Sequence, residues 1–173
     1  PLGLETLVNF TLTHTKLAGE LFGRKETLAL KKSVKMQTCV NEALVLAKMG
    51  GVTAMHDATE GGFVAALNEM ADASNVGFSV DFAKLPISPE MKKLAEHFNL
   101  TREHILASSS TGTLLAAVSP SHAERAIAAL SKTGLTAKKV GVFSKSKERL
   151  LRLDGKETRF PVKAEDPYAK IMT

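Results

Sequence analysis

The residues best suited to chemistry lie in one short stretch, Asp57-Ala58-Thr59-Glu60-Gly61-Gly62. An apolar β-type run, Val52 to Met55, leads into it. A helical pattern leaves it, with Phe63, Ala66, Leu67, Met70 and Ala71 on one face. A strand, a glycine-closed turn and a helix in that order gather backbone N–H groups at a helix N-terminus. First-turn donors there lack intrahelical partners and the helix dipole is positive, so the place suits a phosphate or carboxylate. Asp57 and Glu60 also have the spacing of a capping box, in which they would satisfy the helix end themselves while the glycines merely relieve crowding. The spacing alone does not choose between cap and anion site. Two acidic groups in the turn would repel a bare phosphate unless Mg²⁺ or a lysine stood between them.

A second candidate is Ser108-Ser109-Ser110-Thr111-Gly112, whose hydroxyls and glycine N–H can donate to phosphate oxygens without adding negative charge. Such runs are also ordinary flexible turns. The remaining reactive types are isolated. His56 has the chemistry of a general acid or base, and equally of a surface or capping histidine. Cys39 has no neighbour that would lower its pKa, and His14 has no partner at metal spacing.

The elements that must position these loops follow from periodicity and punctuation. Residues 1–33 are the least regular: Leu4, Leu7, Val8 and Leu12 hint at helix, and Thr11 to Thr15 weakens it. Ser33 is placed to cap a helix from Val34 to Met49, with Met36, Val40, Ala43, Leu44 and Ala47 inward and Gly50-Gly51 at its end. Gly77 to Phe82 alternates as a strand. Ser88-Pro89 starts a helix that buries Met91, Leu94, Ala95 and Phe98, and Thr101 starts another to about Ala107. The apolar strand Thr113 to Val118 reads as buried on both faces. A helix after Ser119-Pro120 turns Ala123, Ala126, Ile127 and Leu130 inward. Strands follow at Thr136 to Phe143 and Arg149 to Leu153, with Asp154-Gly155 turning the chain into Thr158 to Val162. The polar tail beyond Pro161 reads as loose. Alternating strands and helices give an α/β or α+β fold.

Composition bounds the function. A chain of 173 residues with 44% apolar and 24% charged residues is long enough for one domain with a real core. No apolar run reaches the ~18–20 residues of a membrane span. One cysteine fits a reducing compartment, so the cytoplasm is expected. The net charge of +5 is spread along the chain. The denser patch from Lys138 to Arg152 lacks interleaved aromatics, which favours a solvated face over a nucleic-acid groove.

The stretch Thr53 to Gly62, followed by Ala66-Leu67-Asn68-Glu69-Met70-Ala71, resembles the Asp-x-Thr-x-Gly-Gly loop and helix of the aminoimidazole ribonucleotide (AIR) synthase superfamily. The resemblance continues through Asn75 to Phe78, Lys84 to Ile87 and Ser108 to Val118, over roughly residues 34–153. Its nearest flavour is the AIR synthase-related and hydrogenase-maturation branch. The resemblance implies a largely antiparallel, mixed sheet flanked by helices. It also implies that 34–173 form the C-terminal domain, with 1–33 connecting it to an absent N-terminal domain. An opening on Pro1 fits removal of an initiator methionine as well as a fragment of a longer protein, and the resemblance favours the fragment.

In this superfamily the N-terminal domain supplies most contacts to ATP and Mg²⁺, and the C-terminal domain closes over the cleft. Asp57 and Thr59 would then position a nucleotide or phosphate-bearing ligand. Gly61 and Gly62 would offer backbone donors, joined by Ser109, Ser110 and Gly112. The resemblance assigns no catalytic residue here and no role to His56 or Glu60. It implies a homodimer for the full-length protein and an isolated domain that is inactive. The family's dehydratase uses a C-terminal cysteine, and Tyr168 to Thr173 contains none, so that reaction is unsupported unless the protein continues beyond Thr173. A non-catalytic ligand-sensing or protein-interaction module on the same fold is the alternative.

Overall fold

The computed structural model describes residues 1–172. Three helices open the chain: α1 (Leu4–Thr13), α2 (Thr15–Phe22) and α3 (Arg24–Lys32). After a 3₁₀ turn at Ser33–Met36 come α4 (Val40–Met49), β1 (Val52–Asp57), α5 (Gly62–Ser74) and β2 (Gly77–Asp81). Next are α6 (Pro89–His97), α7 (Arg102–Ala107), β3 (Leu114–Val118) and α8 (Ala123–Lys132). The chain ends with β4 (Gly141–Ser144), β5 (Arg149–Leu153), β6 (Lys156–Arg159) and α9 (Tyr168–Met172).

The strands form two sheets. One pairs β1 with β3 antiparallel, so that Asp57 faces Leu114 and His56 faces Leu115. The other has the order β4-β2-β5-β6, antiparallel except for the parallel β2–β5 pair. The expected mixed, largely antiparallel sheet structure flanked by helices is therefore present.

The principal core lies between α5 and the four-stranded sheet. Phe63, Val64, Leu67 and Ala71 pack with Phe78, Val80, Leu151, Leu106 and Phe160. Phe78 and Phe160 meet edge to face with ring centroids 4.9 Å apart. Each such fully buried apolar side chain contributes on the order of 1.5–3 kcal/mol. This core fixes the direction of α5, and hence where its N-terminus points. Asn68, buried in the same helix, donates to the carbonyls of Val64 and Pro161, both at 2.9 Å, and accepts from Arg149 Nη1 at 2.8 Å. Arg149 also binds Asp72, so β5 and the chain after β6 are tied to α5.

Several expectations need correction. Ser33 does not cap α4; its hydroxyl donates to the Ala29 carbonyl at 3.0 Å. The helix starts only at Val40, after a 3₁₀ turn and an irregular segment, and Cys39 sits before it. Met36, Val40 and Leu44 lie outward, at 58%, 60% and 51% exposure, while Leu46 is the buried residue of α4. Val45, Leu46 and Met49 pack toward Ala126 and Leu130 of α8. The helix carries apolar residues on two faces, and the period alone cannot say which one meets a neighbour.

Strand β3 is half-buried throughout because it belongs to a two-stranded sheet. The strand expected over Thr136 to Phe143 shortens to β4. The threonine-rich start is helical: Thr11, Thr13 and Thr15 donate their hydroxyls to carbonyls three or four residues back. The C-terminal tail is docked, since Ile171 is buried with Leu7, Phe10, Met91 and Leu94.

Candidate functional site

Strand β1 ends in the Asp57–Gly62 turn, and α7 ends in the Ser108–Gly112 loop. The two are joined directly. The Ala58 N–H donates to the Thr113 carbonyl and the Ser110 N–H to the Ala58 carbonyl, both at 2.9 Å. The Ser109 hydroxyl reaches the Thr59 carbonyl at 3.3 Å. Gly62 has φ 56°, and a Cβ there would stand 2.5 Å from the Ser108 carbonyl oxygen. Only glycine permits both that backbone angle and that approach. Asp57, Thr59, Gly61, Gly62, Ser109, Ser110 and Gly112 therefore lie in one connected pair of loops.

The pair divides sharply in what it leaves free. Gly61, at φ 68°, is the residue before α5, and no side chain caps that helix. The capping box between Asp57 and Glu60 is absent: Asp57 remains in β1, and its carboxylate is about half exposed. Among the described residues, the N–H groups of Glu60, Gly61, Phe63 and Val64 meet no acceptor. No acidic residue sits in the first turn of this thirteen-residue helix. Uncapped donors and an unopposed dipole make this the better anion site of the two.

The serine loop spends its hydroxyls inward. Ser110 is fully buried; its hydroxyl donates to the Ser108 carbonyl at 2.8 Å and accepts from the Gly3 N–H at 2.7 Å. Ser108 donates to the His104 carbonyl at 2.8 Å. Ser109 and Thr111 both donate to the Glu5 carboxylate of α1, Ser109 at 2.7 Å. The loop already holds an anion, and that anion is part of the protein. Nearby, burial pushes the Asp166 carboxyl above its ordinary range, against hydrogen bonds from the Tyr168 and Ser109 N–H groups.

His56 precedes Asp57. Its Nδ1 lies 2.7 Å from the Asp57 carbonyl oxygen and its Nε2 2.8 Å from Glu69 Oε2. The carbonyl contact raises its pKa most, and the Glu69 carboxylate adds to the effect while partial burial opposes it. The protonated ring donates from both nitrogens and places positive charge beside Asp57. Sequence spacing did not reveal this pair, because Glu69 meets His56 only once α5 lies along β1. Glu5 was equally invisible, being far from the serine loop in the chain. Burial, with the Asp57 and Glu42 charges, raises the Cys39 thiol pKa, which argues against a nucleophile. Among the described residues, no group of three or more His, Cys, Asp or Glu side chains could hold a metal ion.

Residues 13–152 match the family model for the AIR synthase related protein, C-terminal domain. The chain belongs to this family. Among curated relatives, carbamoyl dehydratase HypE of Escherichia coli (strain K12) is 30% identical over 152 residues, covering 85% of this chain and 44% of that protein. HypE of Rhizobium leguminosarum bv. viciae is 30% identical over 114 residues, covering 64% of this chain and 32% of that protein. The chain thus spans less than half the length of these relatives. The crystal structure of E. coli HypE superposes with a TM-score of 0.68 at 28% identity, covering 77% of this chain and 42% of that one. PurL of T. maritima complexed with ATP shares the fold, with a TM-score of 0.57 at 21% identity, covering 80% of this chain and 21% of that chain. As an AIR synthase-related C-terminal domain, the chain has its Asp-x-Thr-x-Gly-Gly turn at the uncapped start of α5.

Proposed function

We propose that this chain is the substrate-side domain of an ATP-utilising AIR synthase-related enzyme of the hydrogenase-maturation type. It binds a nucleotide or phosphate-bearing ligand at the Asp57–Gly62 turn. One observation carries the reading: α5 begins without a cap and with four unpaired N–H groups at and beside its first turn. The Gly61–Gly62 backbone and the start of α5 would receive phosphate oxygens, and Asp57 and Thr59 would orient the ligand. Protonated His56 would offset part of the Asp57 charge that otherwise opposes a phosphate. A HypE structure that shares this fold is a complex with ATP, which supports a nucleotide as the ligand class.

When bound, Mg²⁺ would neutralise phosphate charge. The family resemblance assigns its ligands mainly to an N-terminal domain. On this reading the domain comprises residues 34–173, with 1–33 leading into it, and is inactive alone. The complete protein is a cytoplasmic homodimer. The hydroxyls of Ser109 and Ser110 hold the loops together, and the Gly112 N–H, which meets no acceptor among the described residues, would join the ligand's donors. The test is Mg²⁺-dependent ATP turnover by the full-length protein and by its Asp57→Ala variant. Turnover lost in the variant, with folding intact, is expected; unchanged kinetics would falsify the site.

The outward face of α4 favours a second reading, a ligand-sensing or protein-interaction module. Val40 and Leu44 are exposed there. Nucleotide binding without turnover by the full-length protein would select it.

A further inference from the structure

We infer that Glu69 is a positioning residue of this site: it holds His56 as a cation donating from both ring nitrogens, and the ligand affinity of the Asp57–Gly62 turn falls when that ring loses its proton. The inference deepens the binding reading above and rests on it. Geometry sets the state of the ring. Nδ1 lies 2.7 Å from the Asp57 carbonyl oxygen and Nε2 2.8 Å from Glu69 Oε2. A carbonyl and a carboxylate only accept, so both contacts are hydrogen bonds only when each nitrogen carries a proton. A neutral ring would turn a lone pair on one of these oxygens, and that contact would open.

The ring also reaches the carboxylate of the turn directly. His56 Nδ1 stands 3.6 Å from Asp57 Oδ1, and among the described residues it is the one cationic side chain that pairs with Asp57. The other groups around it supply no substitute. Its partner across the sheet is Leu115 of β3, and α4 brings Glu42, whose charge acts with that of Asp57 on Cys39. With the proton lost, Asp57 would face a phosphate uncompensated, beside Glu60. The Asp57 carbonyl first, and then the Glu69 carboxylate, raise the ring's pKa above its ordinary 6.5, with partial burial opposing them. The compensating charge is therefore complete below that pH and fades as pH rises through the raised value.

The experiment titrates ATP with Mg²⁺ calorimetrically into the full-length protein and its Glu69→Gln, His56→Gln and Asp57→Ala variants, from about pH 5.5 to about pH 8.5. Affinities are compared between proteins at each pH, so the titration of ATP itself cancels. Glutamine at position 69 keeps the size of the side chain and removes its charge. Wild type is expected to bind roughly threefold tighter than His56→Gln at the low end, with the ratio closing toward one at the high end. Glu69→Gln should bind at least as tightly as wild type at the low end and lose the advantage at a lower pH. Weakening of Glu69→Gln by one factor at every pH would make Glu69 a structural support and overturn the inference. A constant ratio between wild type and His56→Gln would overturn it too. If Asp57→Ala then still weakens binding roughly tenfold, the turn stands as the site without this control. A wild-type protein that does not bind ATP removes both readings.

Discussion

The two loops of the site present similar chemistry in sequence and opposite chemistry in space. Ser108–Gly112 is rich in hydroxyls, yet Ser108, Ser109, Ser110 and Thr111 all donate to protein oxygens. Asp57–Gly62 is acidic, yet it leads into a helix whose first donors are free. The difference teaches that donor count is a poor guide to anion binding. What decides it is whether the fold has already supplied an acceptor. Glu5 is that acceptor for the serine loop, and nothing among the described residues plays the part for the start of α5.

The contrast can be broken most forcefully at Gly62. Gly62→Ala would set a methyl against the Ser108 backbone at a positive φ, with an expected loss of about 3 kcal/mol in urea unfolding. A near-neutral result would mean that the loops are not locked together. Ser110→Ala comes next. It strips the buried Gly3 N–H of its acceptor and should cost about 1–3 kcal/mol of stability while leaving ligand affinity alone. The reverse outcome, lost affinity with stability intact, would make the serine loop a binding element after all.

Asp57→Ala should do the opposite of Ser110→Ala. Binding of ATP or phosphate should weaken at least tenfold, about 1.4 kcal/mol, with little change in melting because Asp57 caps nothing. The smallest effect concerns His56. Its folded pKa is raised above the unfolded value, so its stabilising contribution is complete below a pH of about 6.5 and fades as pH rises through the folded pKa. Both partners are partly exposed, which limits the effect to less than about 1 kcal/mol after screening. His56→Gln should flatten the stability profile above pH 6.5, and a profile identical to wild type would show that the Glu69 contact is idle.

What the sequence disclosed tracks how one-sided each pattern was. On α5 the residues expected inward, Phe63, Ala66, Leu67, Met70 and Ala71, are all buried. Ser88 and Thr101 cap their helices as expected, because such caps are made within four residues. On α4 two apolar faces competed, and local pattern has no access to α8, which decides the matter. Ile171 looked like part of a loose tail because the cluster that receives it is assembled from α1 and α6. The Asp57–Gly62 turn stood out as a candidate from its residues alone. The role of Glu5 and the His56–Glu69 pair depend on tertiary approach, which no spacing encodes.

The order of strands in the larger sheet bears on how the chain comes off the ribosome. Strand β2 is the first of its four to be synthesised, yet it sits inside the sheet, with Phe78 opposite Phe143 on one side and Arg149 on the other. The β5–β6 hairpin is local and can form within microseconds of its completion. Strand β2 must instead wait, with Phe78 and Val80 unsheltered, until β4 and β5 have both emerged. During that interval the nascent chain offers an apolar strand with two open edges, and chaperone dependence or aggregation should be greatest there.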